Sequence, residues 1–132
     1  MALQYTATHR TNAMSDIITA LGSTAFLLIY SGTAPANVAT AATGTLLASL
    51  PMSATPGTAT TGVLTFNAFT TTAAAATGTA GYFRLCTTSA GTTCITQGTI
   101  GTTGADLNMS STALSAGTNV SVTSWTITAF GA

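Results

Sequence analysis

Only four side chains of 132 carry a charge at neutral pH: Arg10, Asp16, Arg84 and Asp106. Lys and Glu are absent. An ordinary soluble domain is about 25% charged, whereas this chain is 3% charged with a net charge of zero. Its water-facing surface must therefore be built from neutral groups. Thr (32), Ala (25), Gly (13) and Ser (11) supply most of the sequence. Thr is β-branched and suits a pleated, half-buried surface. Leu, Ile, Val and Phe number 26, enough for a thin aliphatic core. Disordered chains combine low hydropathy with high net charge; here mean hydropathy is +0.51 and the net charge vanishes, so the chain should collapse into a single domain.

The same scarcity excludes several functions. Two arginines cannot neutralise a phosphate backbone, so no nucleic-acid partner is expected. No run of about 18 apolar residues exists to span a membrane as a helix. One His, two Asp and two Cys are the usual reactive groups present. A serine triad would need His9, an Asp and a Ser to converge without a nucleophile-elbow sequence. The chain is therefore read as no enzyme, with no cofactor and no metal. Sheet edges are normally guarded by Lys, Pro or charge, and net charge near zero promotes association. Burial of much of the surface in an assembly follows as the expectation.

Periodicity divides the chain into one helix and a series of strands. Met14, Ile17, Ile18 and Leu21 fall on one helical stripe. A helix over about 12–21 is predicted, capped by Thr11 or Asn12, with Asp16 in an early turn and Gly22 as its C-terminal glycine. Residues 1–10 then form an N-terminal arm, and 11–132 a single domain. Strands are predicted over Ala25–Tyr30, Thr45–Met52, Gly62–Phe69, Thr79–Thr88, Thr92–Gly101 and Asp106–Met109, with Thr118–Phe130 the last and longest. Ser53–Thr61, Thr70–Thr77 and Ser110–Gly117 read as turns or loops, and all three prolines fall in turns. Short strands with regular turn signals predict an all-β fold, an antiparallel β-sandwich or jelly-roll-like barrel. Phe26, Leu28, Leu46, Leu64, Phe66, Phe83, Leu85, Trp125 and Ile127 are its expected core.

Cys86 and Cys94 flank a predicted hairpin symmetrically about Ala90, which places them face to face. A directly cross-strand disulfide is strained, and the spacing offers no metal set. Met1–Arg10 has neither a basic start nor an apolar run, so folding is expected in the compartment of synthesis, with both thiols close but reduced. Gln4, Tyr5, His9 and Arg10 in the arm, and Arg84 in mid-strand, are the candidate subunit contacts. For His9 and Arg10 the alternative is a solvated pair at a chain end. For Arg84 it is a role inside one subunit, pairing with Asp106 or Asp16 or stacking on Tyr82.

Leu28-Ile29-Tyr30-Ser31-Gly32-Thr33-Ala34-Pro35-Ala36-Asn37, followed by Gly44-Thr45-Leu46-Leu47-Ala48, resembles a segment of small virion proteins of tailed bacteriophages. Ala76-Thr77-Gly78-Thr79-Ala80-Gly81-Tyr82-Phe83-Arg84, Gln97-Gly98-Thr99 and the closing Val120–Thr128 stretch are similar to others in that group. Some of those proteins resemble capsid cement, or head-decoration, proteins. The resemblance covers most of the chain through turn and strand signatures and brings no catalytic motif. It implies a β-sandwich subunit on the capsid exterior, made in the bacterial host cytoplasm, bound to the major capsid protein and to copies of itself. A tail, neck or fibre component, with a receptor-binding role, is the alternative it leaves open.

Overall fold

The computed structural model describes residues 3–122 and 125–131. Met1 and Ala2 of the expected arm, and Thr123 and Ser124 of the expected closing strand, lie outside them. The fold is mainly β, with one helix and several antiparallel sheets.

The helix α1 spans Ala7–Leu21, five residues longer at its start than the periodicity predicts. Thr6 is its N-cap, and the Thr6 hydroxyl accepts a hydrogen bond from the His9 backbone N–H at 3.3 Å. Asp16 consequently lies in mid-helix, and no acidic side chain occupies the first turn. The predicted stripe does face inward: Met14 and Leu21 are buried, and Ile17 and Ile18 pack against the same core. Gly22 ends the helix at φ 74°, its N–H bonded to the Ile18 carbonyl.

The larger sheet is built on β1 (Phe26–Ser31), β2 (Leu46–Pro51), β6 (Gly78–Cys86), β7 (Cys94–Gly101) and β8 (Leu107–Asn108), in the order β2-β1-β6-β7-β8. β9 (Ala113–Leu114) joins the far end of β6. All of these pairs are antiparallel except β7–β8, which is parallel. A three-stranded sheet, β3 (Gly57–Thr60), β4 (Val63–Phe66) and β11 (Trp125–Thr128), runs in the order β11-β4-β3. A short pair joins β5 (Thr72–Ala73) to β10 (Asn119–Val120).

Several expectations are corrected by this layout, and two of the stretches read as loops, Thr70–Thr77 and Ser110–Gly117, each hold a two-residue strand, β5 and β9. Ser53–Thr61 contains a strand, β3, held by β4 on one side and α1 on the other. Thr118–Phe130 is not one long strand: β10 pairs with β5, and β11 pairs with β4 in a different sheet. Pro51 lies at the end of β2, an edge position where its missing N–H costs no ladder bond. The open side of β2 is itself partly occupied, because Ala75 N–H donates to the Leu47 carbonyl at 2.7 Å and Thr70 N–H to that of Pro51 at 3.0 Å.

One apolar cluster joins α1 and both main sheets. It takes Leu27, Ile29, Phe83 and Leu85 from the larger sheet, and Leu64, Phe66 and Trp125 from the smaller. Of the nine expected core residues, Leu28, Leu64, Phe66, Phe83, Leu85 and Trp125 are buried, while Phe26, Leu46 and Ile127 are half-buried at its margins. Leu28 belongs to a second, smaller cluster with Tyr30, Tyr82 and Cys86 on the opposite face of β1 and β6. Strand alternation produces this division: residues 83 and 85 face the main core, and residues 82, 84 and 86 face away from it.

Candidate functional site

The two chain ends meet at one corner of the molecule. Tyr5 N–H donates to the Gly131 carbonyl at 2.6 Å. A side chain at position 131 would run into the Tyr5 ring, so the glycine permits this approach. Behind Tyr5, the first turns of α1 rest on the β3–β4 hairpin. Thr61 and Gly62 have φ of 54° and 78°, positive at both central positions as a two-residue type I′ turn requires. Gly62 N–H donates to the Thr11 hydroxyl at 2.8 Å, and Ala129 N–H donates to the Gly62 carbonyl at 2.8 Å. The Arg10 side chain covers the same glycine.

A largely apolar cavity of about 270 Å³ opens here, with Tyr5, His9, Arg10, Met14, Ala129 and Phe130 in its walls. The large exposed apolar side chains among the described residues all belong to this pair of chain ends: Leu3 (74% exposed), Tyr5 (45%) and Phe130 (86%). Tyr5, His9 and Arg10, three of the candidate subunit contacts, thus line one cavity, and Gln4 is exposed next to Tyr5 in sequence. The arm is shorter than expected, since residues 7–10 are helical. Leu3 and Phe130 escape a reading of the sequence because periodicity assigns neither to a face. Leu3 falls in the expected arm, and Phe130 closes the expected Thr118–Phe130 strand but lies two residues beyond the end of β11.

Arg84 lies elsewhere. Adjacent strands place Ser49, Leu28, Arg84 and Gln97 in one row across β2, β1, β6 and β7. The neighbouring pair Tyr30 and Tyr82 stack with ring centroids 5.1 Å apart. The loop between β1 and β2 folds over this face. The Tyr82 hydroxyl donates to the Thr43 carbonyl at 2.5 Å and accepts from Thr43 N–H at 3.0 Å. Gln97 Nε2 donates to the Pro35 carbonyl at 2.8 Å, and Arg84 Nη2 donates to that of Thr40 at 2.6 Å. Asn37 Oδ1 stiffens the loop by accepting from the N–H groups of Ala39 and Thr40.

Arg84 is 2% exposed, so it is covered within its own subunit rather than presented on the surface. It pairs with neither expected aspartate. Asp16 is exposed on α1. Asp106 Oδ2 lies against Gly98 on the Phe83 side of the sheet, where it accepts from Thr99 N–H at 2.9 Å and from the Thr99 hydroxyl at 3.2 Å. Among the described residues, three buried polar atoms in the Arg84 row have no hydrogen-bond partner: Arg84 Nε, Ser49 Oγ and Gln97 Oε1. Arg84, but neither Ser49 nor Gln97, borders an open chamber of about 630 Å³, lined in part by Tyr30, Thr40, Ala42, Gly91 and Cys94. Burial, and then the adjacent Tyr82, push the Tyr30 phenol pKa upward against the opposing effect of Arg84.

The expectation of free thiols is also corrected: Cys86 and Cys94 are joined in a disulfide, their α-carbons 3.8 Å apart. The ladder explains why the two meet. Leu85 faces Thr96, but Cys86 faces Cys94, so Ile95 is an extra residue in a bulge. The hairpin is symmetric about Ala90 from its tip, where Thr87 N–H donates to the Thr93 carbonyl, through the predicted facing pair Cys86 and Cys94, and its register shifts by one residue only beyond that pair. Among the described residues no three His, Cys, Asp or Glu side chains gather to ligate a metal. Among the described residues no helix is long and apolar enough to cross a membrane.

No protein-family model matches the chain, and neither a curated protein nor a solved structure matches it.

Proposed function

We propose that this chain is a structural virion protein of a tailed phage, a capsid cement subunit that binds the outer shell and links neighbouring major capsid subunits. The observation that carries this reading is the apolar corner at the chain ends. A charge-poor subunit that exposes Tyr5 and Phe130 at a cavity, and Leu3 near Tyr5 in sequence, offers a partner apolar burial, worth about 25 cal/mol per Å², and clustered apolar exposure marks interaction surfaces. Repetition over a shell supplies avidity without one strong contact. The sequence resemblance supports the same assignment. The antiparallel β-sandwich that it implies is consistent with two sheets sharing one core, although the strands are short and irregular.

The experiment is to titrate purified protein onto stripped capsids over a range of NaCl. Salt screens charges and leaves apolar burial intact, so binding should change little from low to high salt. Leu3→Ser with Phe130→Ser should abolish it while Asp106→Asn leaves it in place. A steep loss with salt, or full binding by the double variant, would overturn the assignment. Density at tail or neck positions in intact virions, in place of the capsid lattice, would also overturn it.

A further inference from the structure

We propose that the chamber over Arg84 is a binding site for a small monocarboxylate. A guanidinium stays charged at any physiological pH, and a buried charge needs compensating partners. Arg84 is 2% exposed, yet its one hydrogen bond runs to the Thr40 carbonyl, and its Nε–H has no acceptor. The two aspartates cannot supply one, since Asp16 is exposed on α1 and Asp106 is engaged on the other side of the sheet. Nε–H beside an Nη–H is a planar fork that matches two carboxylate oxygens. Arg84 is the only cationic residue lining the chamber, which suits one negative charge and not a phosphate dianion. The remaining walls mix small or apolar residues, such as Tyr30, Val38, Ala42 and Ala90, with the threonines at 40, 92 and 93. The apolar ones suit a ligand with a compact hydrocarbon body. This site is separate from the chain-end corner and stands whether or not the chain is a virion subunit.

The test is a ¹H–¹⁵N correlation experiment on the whole protein. Sodium acetate, then sodium benzoate, is titrated against NaCl at equal ionic strength, following the Arg84 Nε–H and the amides of Thr40 and Gly91. A parallel arm uses a glutamyl peptide blocked at both ends. Saturable shifts with acetate or benzoate alone identify a free acid as the ligand; shifts with the peptide as well extend the site to a protein side chain. Ala90→Phe substitutes an exposed lining residue, so the rest of the spectrum should be retained while affinity falls by about tenfold or more. Arg84→Lys should weaken binding similarly by removing the fork. Shifts that fail to saturate, that chloride reproduces, or that survive undiminished in Ala90→Phe would overturn the site and leave a water-filled chamber.

Discussion

The edge of Phe83 meets Trp125 with ring centroids 4.8 Å apart and planes at 85°, joining the larger sheet to the smaller one. Phe66 stacks on the same indole at 4.6 Å. Trp125 Nε1–H donates to the Asp106 carbonyl at 2.8 Å, so the polar end of a buried ring is satisfied.

Removing this ring should be the most damaging single change in the core. Trp125→Ala should cost about 3–5 kcal/mol in urea unfolding. Trp125→Phe keeps much of the apolar volume but strands the Asp106 carbonyl, and should cost distinctly less. Equal losses for the two would mean that the hydrogen bond, and not packing, dominates at this position.

The Cys86–Cys94 bond closes a loop of sequence separation 8. On the chain-entropy model such a loop contributes about 2.5 kcal/mol by restricting the unfolded state. Cys86→Ser with Cys94→Ser should lower the urea midpoint accordingly, and a phosphine reductant should lower the wild type to the same value. Capsid binding through the chain-end corner should survive both treatments. A midpoint insensitive to reductant would show that the bond is not formed in the working protein.

Tyr30 predicts an alkaline signature. Its phenol is raised above the ordinary value of about 10 by burial and by Tyr82, with Arg84 opposing. The folded state therefore holds this proton more tightly than the unfolded state. The corresponding stability is complete below about pH 10 and is lost as pH rises through the folded value. Tyr30→Phe has no proton to lose, so its stability should decline less steeply than wild type as pH rises above about 10. Parallel pH profiles would assign the alkaline decline to other groups.

Local patterns carried a good part of this architecture. The Met14–Leu21 stripe, the apolar run of β1, and the β6–β7 hairpin were legible because a period of 3.6 or 2 was written into consecutive residues. The chain-end cluster was partly legible, since Tyr5, His9 and Arg10 stood out as ionisable or aromatic groups in a chain with few of either. The start of α1 was not. Thr6, Thr11 and Asn12 are all good caps, and the choice of Thr6 goes with contacts far along the chain, Tyr5 on Gly131 and Arg10 on Gly62.

The sequence by itself determined a charge-poor, Thr-surfaced, mainly β chain with one amphipathic helix, because composition and periodicity act locally. Tertiary structure alone decided the rest. It divided the closing stretch between two sheets, since pairing partners for Asn119–Val120 and Trp125–Thr128 lie in different parts of the chain. It shifted the β6–β7 register by one residue through a bulge at Ile95, just beyond the Cys86–Cys94 pair that hairpin symmetry already places face to face. It also buried Arg84 beneath Thr40, 44 residues away in sequence, because the covering loop is held by backbone carbonyls, which every residue type possesses and no motif can announce.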